Sequence, residues 1–337
     1  MQSVALPVRR IALVAAACLL NACLASADEL VSRTLTVGVM GTELNIETWG
    51  ETPERLDGAM AAAVLEMRRI EDLMTEWRPS PLTRLNDSAG QGAHVVPREL
   101  AEIIARGHAL HELSSGAFDI SFLAVGRLWD FKKSPPVIPS AQDIEAALPF
   151  VDASRIRVNE ADLSVTLPEK MEIGLGGLAK GYGVDRAMQV LMDHGVKHAI
   201  VNAGGDLKAL GRKQNALWEV ALKHPRDRDR AMAVIKLSNS CLVTSGDYER
   251  FFEADGKRYH HIIDPRTGYP STGCMSASIV ARNAEYADAL ATACCVLSVE
   301  KGLALIESLD HVEGVLVDLK GAVHVSPGLK HTLVQEP

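Results

Sequence analysis

The chain has 337 residues, 47% of them hydrophobic and 23% charged, the balance of an ordinary globular protein and not of a disordered, collagenous or multi-span membrane chain. Its 35 Lys and Arg against 43 Asp and Glu give a net charge of −8, which argues against a nucleic-acid partner, since phosphate backbones call for a basic surface.

The chain opens with Arg9 and Arg10 followed by the apolar run Ile11 to Leu20, too short to span a bilayer comfortably but suited to the h-region of a secretory signal. Ala25-Ser26-Ala27 then gives the small-x-small pattern of a cleavage site, so residues 1–27 are expected to be a signal peptide of an exported, periplasmic protein. The alternative is Leu20-Asn21-Ala22-Cys23, a lipoprotein-like box that would anchor the chain at the inner membrane through Cys23. Cleavage removes two Arg and no acid, which shifts the net charge to −10. Cys241, Cys274, Cys294 and Cys295 show neither disulfide-framework nor metal-type spacing and read as small core hydrophobes.

Thr34 to Trp49 predicts two strands or a bent hairpin, and Pro53 to Trp77 a helix with Leu56, Met60, Val64, Met67, Leu73 and Met74 on its periodic positions. A loop follows. Residues 97–115 and 139–148 read as helices, 155–173 as short strands, and Gly177 to His194 as a helix stopped by Gly195. Strands are then expected at His198–Asn202, Leu207–Leu210, Trp218–Leu222, Ala231–Leu237, Cys241–Thr244, Arg258–Ile263 and Met275–Ala281. Asn283 caps a core helix through Leu297, residues 299–308 add another, and strands around Val315 and Val323 close the chain. Without strict βαβ alternation, this order predicts a single compact α+β domain over residues 28–337, with a mixed β-sheet and packed helices.

Chemistry has to be sought in the breaks between these elements. Gly174-Leu-Gly-Gly-Leu-Ala-Lys-Gly181 is a Gly-rich turn into a helix, fit either to present backbone N–H groups to a phosphate or simply to turn tightly; it matches no common nucleotide motif. Asp288 and Thr292 lie four apart on one helix face and offer two hard oxygens to Mg²⁺ or Ca²⁺, although the same spacing suits a helix-terminal Asp and a packed Thr. Tyr259 to Pro270 gathers two His, an Asp, an Arg and a Thr. Adjacent His260 and His261 would point to opposite faces of a strand, which disfavours one shared zinc and suits one of them as a general base. Thr244-Ser-Gly-Asp-Tyr248 fits a surface turn or a second ligand loop.

Taken together, Val39-Met40-Gly41-Thr42, Met74-Thr-Glu-Trp-Arg-Pro79, Gly116-Ala-Phe-Asp119, Gly174 to Arg186, Asn202-Ala-Gly-Gly-Asp206, Thr244 to Tyr248, His261 to Gly268 and Ala287 to Thr292 resemble, in order and spacing, the ApbE family of bacterial FAD:protein FMN transferases. The resemblance covers nearly all of the chain after the signal. It implies an ApbE-like, T-fold-like domain and a Mg²⁺-dependent enzyme that joins FMN from FAD through a phosphoester to a Thr or Ser hydroxyl of a partner protein, releasing AMP. It implies FAD contacts at Met40, Trp77, Ala117, Phe118, Asp119, Gly174, Lys180, Asp247 and Ile262, with metal held by the Gly177 backbone oxygen, Asp288 and Thr292. His261 matches the catalytic base, leaving His260 as its neighbour. The implied partners are acceptor flavoprotein subunits of membrane or periplasmic redox systems.

Two departures stand out. Gly174 replaces a usual Asp or Asn that contacts FAD in relatives, and the segment Arg78 to Asn86 is a residue short, with Pro81 where an acid is common. Two other functions compete: a Mg²⁺-dependent FAD pyrophosphatase giving FMN and AMP, and a non-catalytic flavin carrier or assembly accessory. The resemblance favours transfer, since a bulky aromatic such as Trp77 goes with the family's FAD-retaining transferases.

Overall fold

The computed structural model describes residues 30–330 and Val334–Gln335; the expected signal and Cys23 lie outside the described residues. In chain order the strands are β1 (Val31–Val39), β2 (Thr42–Gly50), β3 (Ala93–Val95), β4 (Arg157–Asn159), β5 (Ser164–Thr166), β6 (His198–Ala203), β7 (Asp206–Leu210), β8 (Trp218–His224), β9 (Asp227–Leu237), β10 (Ser240–Gly246), β11 (Phe251–Ala254), β12 (Lys257–His260), β13 (Ser276–Ala281), β14 (Glu313–Val317), β15 (Val323–Val325) and β16 (Val334–Gln335). The α-helices are α1 (Pro53–Met74), α2 (Pro81–Asp87), α3 (Arg98–Leu113), α4 (Leu123–Gly126), α5 (Ala141–Ala147), α6 (Ala179–Asp193), α7 (Ala284–Val296) and α8 (Val299–Glu307).

Eight strands form the main sheet in the order β1-β2-β6-β7-β10-β13-β14-β15. Alternation along each strand divides it between two cores, because successive side chains leave opposite faces. On one face Ala199, Val201, Ala203, Cys241, Val243, Ala277, Ile279 and Leu316 pack with α1, α6 and α7. On the other, Leu207, Ala209, Leu242 and Val315 meet Trp218, Leu222, Ala233, Ile235 and Leu237 of β8 and β9, whose small sheet also takes β16. A third cluster stacks Trp129, Phe131, Phe252, Tyr259 and Tyr269 under the β11–β12 hairpin.

The α+β class stands, but the sheet is not mixed: every ladder in it is antiparallel. The stretch that reads as interleaved helix and strand, residues 51–197, is one long excursion between β2 and β6, and β2 and β6 still pair antiparallel. β1–β2 and β6–β7 are plain hairpins.

α1 forms for the reasons its sequence gives. Pro53 occupies the first turn, where its missing N–H costs nothing, and Leu56, Met60, Val64, Met67, Ile70, Leu73 and Met74 are buried at three- and four-residue spacing. It ends at Met74, three residues before Trp77, where the backbone of Thr75 turns extended. The segment expected to be loop then holds α2, started by Pro81 and by a capping box in which Ser80 and Thr83 satisfy each other's backbone N–H. α7 is capped by the Asn283 side chain accepting from the Tyr286 N–H at 2.8 Å, as expected. It is buried almost all round, which only a run of Ala and Cys permits at this packing distance. The four cysteines are buried free thiols. β12 ends at His260, three residues short of expectation, and β11 had no sequence signal of its own.

Candidate active site

The close crossing of α6 and α7 builds the centre of the site. A Cβ on Gly181 would lie 2.2 Å from the Ala284 carbonyl oxygen, so only glycine lets the two backbones approach this far. That approach brings the Gly181 N–H to Asp288 Oδ2 at 3.2 Å. One turn earlier in the chain, a Cβ on Gly177 would lie 3.4 Å from Thr292 Oγ1 and 3.0 Å from the Phe118 ring. Gly177, Asp288 and Thr292 are therefore brought together, and Ser245 Oγ approaches Thr292 Oγ1 to 3.4 Å from the end of β10.

Charge is concentrated here. Lys180 Nζ donates to Asp206 Oδ1 at 2.5 Å, while Asp206 is fully buried and its Oδ2 has no partner among the described residues. Burial pushes the Asp288 carboxyl well above the usual carboxylate range, and the neighbouring Asp206 carboxylate adds to the effect. For Lys180, burial works against the ammonium but the charges of Asp206 and Asp288 outweigh it, so its pKa is raised. Two buried carboxyls and one ammonium leave room for a further cation.

The two histidines part company after β12. His260 is buried, and its Nε2 pairs with the Ser271 carbonyl at 2.9 Å. His261 lies in the bend beyond the strand, its N–H bonded to the Arg250 carbonyl at 3.0 Å and its Nδ1 buried without a hydrogen-bond partner among the described residues. Burial first, then the Arg250 guanidinium, depress the His261 imidazole to about 4, so it is neutral at physiological pH. The Lys180 charge also reaches it.

Around this centre the expected cofactor residues divide into two groups. Met40, at φ 52° in the β1–β2 turn, has its sulfur 3.2 Å from where a Cβ on Gly183 would sit, against the first turns of α6. Ala117 and Phe118 are buried, the Phe118 ring beside Gly177, and Ile262 is buried with its carbonyl accepting from the Ser271 N–H. Trp77 is 75% exposed, its ring approached by Lys132 Nζ at 5.7 Å, which leaves a broad aromatic face open. Two carboxylates are by contrast already occupied. Asp119 accepts from the Ser121 N–H and hydroxyl and the Ala153 N–H, and His111 Nδ1 lies 3.0 Å from its Oδ2. Asp247 is gripped by both ends of the Arg226 guanidinium at 2.6 and 2.7 Å. Their side chains are thereby committed to holding loops in place.

A match to the ApbE family model runs over residues 40–316. The chain belongs to the ApbE family. An FAD:protein FMN transferase of Treponema pallidum (strain Nichols) is 33% identical over 311 residues, covering 86% of this chain and 86% of its own. Another so named, from Klebsiella pneumoniae (strain 342), is 33% identical over 266 residues, covering 77% and 83%. Among solved structures, the ApbE protein of Thermotoga maritima superposes with a TM-score of 0.82 at 31% identity, over 90% of this chain and 99% of that one. The apo form of the flavinyl transferase ApbE of Pseudomonas stutzeri gives 0.78 at 27%, over 91% and 98%.

Within this ApbE-family chain, the space beside Gly174 is filled from elsewhere. A Cβ at 174 would lie 2.7 Å from Glu76 Oε2, so the carboxylate of Glu76 stands where a side chain at 174 would begin. Burial raises the Glu76 pKa against the pull of Arg127 and Arg250. Glu76, Asp206 and Ser245 were visible in the sequence only as members of motifs. Nothing in the spacing marked them as neighbours of the site, because each arrives on a different element.

Proposed function

We propose that the chain transfers FMN from FAD to a Thr or Ser hydroxyl of an acceptor protein and releases AMP. The observation that carries the reading is the convergence of a neutral, buried imidazole, a lysine and the Gly177–Asp288–Thr292 oxygens, on a chain whose relatives bear the transferase name. His261 would accept the hydroxyl proton at a ring nitrogen as the hydroxyl oxygen bonds to the FMN phosphorus. The bond from that phosphorus to the bridging oxygen breaks, and its electron pair leaves with AMP. Met40 and Trp77 offer a soft surface and an open ring to the flat groups of FAD.

Mg²⁺ fits the oxygen set, and Ca²⁺ could replace it. The donors are hard oxygens, and Asp206 Oδ2 and the Asp288 carboxyl form a buried acidic pair that Lys180 alone does not balance. No group of three or more His, Cys, Asp or Glu able to hold a metal occurs among the described residues, so the binding would need the Gly177 carbonyl, Thr292 and the substrate itself. Such an ion supplies charge neutralisation at the pyrophosphate when bound.

Export is part of the same reading, supported by Arg9-Arg10, the apolar run to Leu20 and Ala25 to Ala27, with Cys23 as an alternative lipid anchor. It makes exported or membrane redox flavoproteins the acceptor class. Incubation with FAD, Mg²⁺ and such an acceptor, read by in-gel flavin fluorescence, is expected to give a covalently fluorescent acceptor band. Free FMN and AMP without that band would make the protein a pyrophosphatase; intact FAD would make it a carrier.

A further inference from the structure

The pyrophosphate of FAD brings negative charge, and the basic side chains that surround the site are nearly all engaged. Lys180 is bound to Asp206, Arg226 to Asp247, Arg258 to Glu253 and Asp247, Arg127 to Glu172, and Arg266 to Asp264. Arg250 differs. Its guanidinium is exposed and makes no hydrogen bond, ion pair or ring contact among the described residues.

Strand register says where that guanidinium points. In the β11–β12 ribbon Phe251 is opposite His260 and Phe252 opposite Tyr259, so Arg250 is opposite His261, and the His261 N–H to Arg250 carbonyl bond extends the ladder to this pair. Directly opposed residues of an antiparallel pair project from the same face. The pattern is kept next door, where Phe252 stacks on Tyr259 with ring centroids 5.3 Å apart, and on the reverse face, where Arg258 lies 4.0 Å over Phe251. Arg250 thus shares a face with His261 and not with His260. Its charge is felt at His261, at Lys180 on α6 and at Glu76 beyond α1, three elements that border the site from different sides.

We propose that Arg250 is a binding residue for the FAD pyrophosphate, its guanidinium taking phosphate oxygens beside His261. The inference rests on the transferase reading for the identity of the substrate. A guanidinium suits the task because its planar fork can hold two phosphate oxygens at once. Left without a carboxylate partner, it need not break an ion pair to do so.

The test compares binding of FAD with binding of riboflavin, which lacks the phosphates, to wild type and Arg250→Gln by quenching of flavin fluorescence. Since the side chain is exposed and makes no bond among the described residues, the variant should fold, and a thermal melt checks this. FAD affinity should fall by about 10- to 100-fold, the usual worth of a charged hydrogen-bonding group, while riboflavin affinity stays within about twofold. FAD affinity equal to wild type would overturn the proposal, and so would an equal loss for FAD and riboflavin. A wild-type protein that binds FAD without transferring FMN would overturn the function proposed above and leave this assignment standing.

Discussion

Two adjacent histidines at the end of β12 sit in different surroundings. The His260 ring pairs through Nε2 with the Ser271 carbonyl inside the protein, while the Nδ1 atoms of both His260 and His261 are buried without a hydrogen-bond partner among the described residues. Replacing His261 with Ala should lower FMN transfer by roughly 10²- to 10⁴-fold with FAD binding retained. His260→Ala should instead cost stability, about 1–3 kcal/mol, by stranding a buried carbonyl and opening a cavity; thermal melts and transfer rates on both variants separate the two outcomes. The fold moves the His261 imidazole away from the reference histidine pKa of about 6.5. With His261 depressed to about 4, the neutral base persists well below that reference, so the acid limb of kcat/KM should fall near pH 4. The same shift makes the unfolded chain bind the extra proton between about 4 and 6.5, so this group's contribution to stability rises with pH across that window. A limb centred near 6.5 that disappears in His261→Ala would contradict the burial argument.

At the level of elements, the crossing of α6 over α7 does what no single motif does. The Asp288–Thr292 pair was legible from its four-residue spacing, and the Gly-rich turn from composition, but their meeting depends on the Gly181 approach to Ala284, which has no local signature. Gly181→Ala should destabilise the protein by about 1–3 kcal/mol, since backbone and not a flexible side chain blocks the new methyl; an unchanged denaturant midpoint would show that the helices can part without cost. Asp288→Asn separates function from stability in the other direction. Replacing this buried, unfavourably placed carboxyl beside Asp206 with a neutral amide should leave the melting temperature unchanged or raised, while transfer falls by about 10²-fold or more. A lower melting temperature with full activity would make Asp288 a structural residue. α2 was hidden because a seven-residue helix opened by Pro81 looks like a turn until the Ser80–Thr83 box is seen. Glu76 was hidden because the void it fills belongs to Gly174, almost a hundred residues away in sequence.

Across the whole molecule, the antiparallel sheet acts as a partition. Its helical face carries α6 and α7 with the charged centre, and its other face is covered by β8 and β9, so the site elements are set by one shared core. Strand positions were largely readable from alternation, yet their pairing was not: β2 and β6 are neighbours across a long excursion that alternation cannot bridge, which is why a mixed sheet was expected and an antiparallel one is found. The ribbon that carries Arg250 and His261 was half visible, β12 by its apolar and aromatic run and β11 not at all. What such a framework is proposed to do is cleave FAD only in company with an acceptor. The most direct measurement is the intact mass of the acceptor followed together with AMP after addition of FAD and Mg²⁺. The account predicts one FMN joined to a Thr or Ser of the acceptor for each AMP released, and no AMP from the His261→Ala protein beyond a slow background; AMP accumulating with free FMN while the acceptor mass stays unchanged would contradict it.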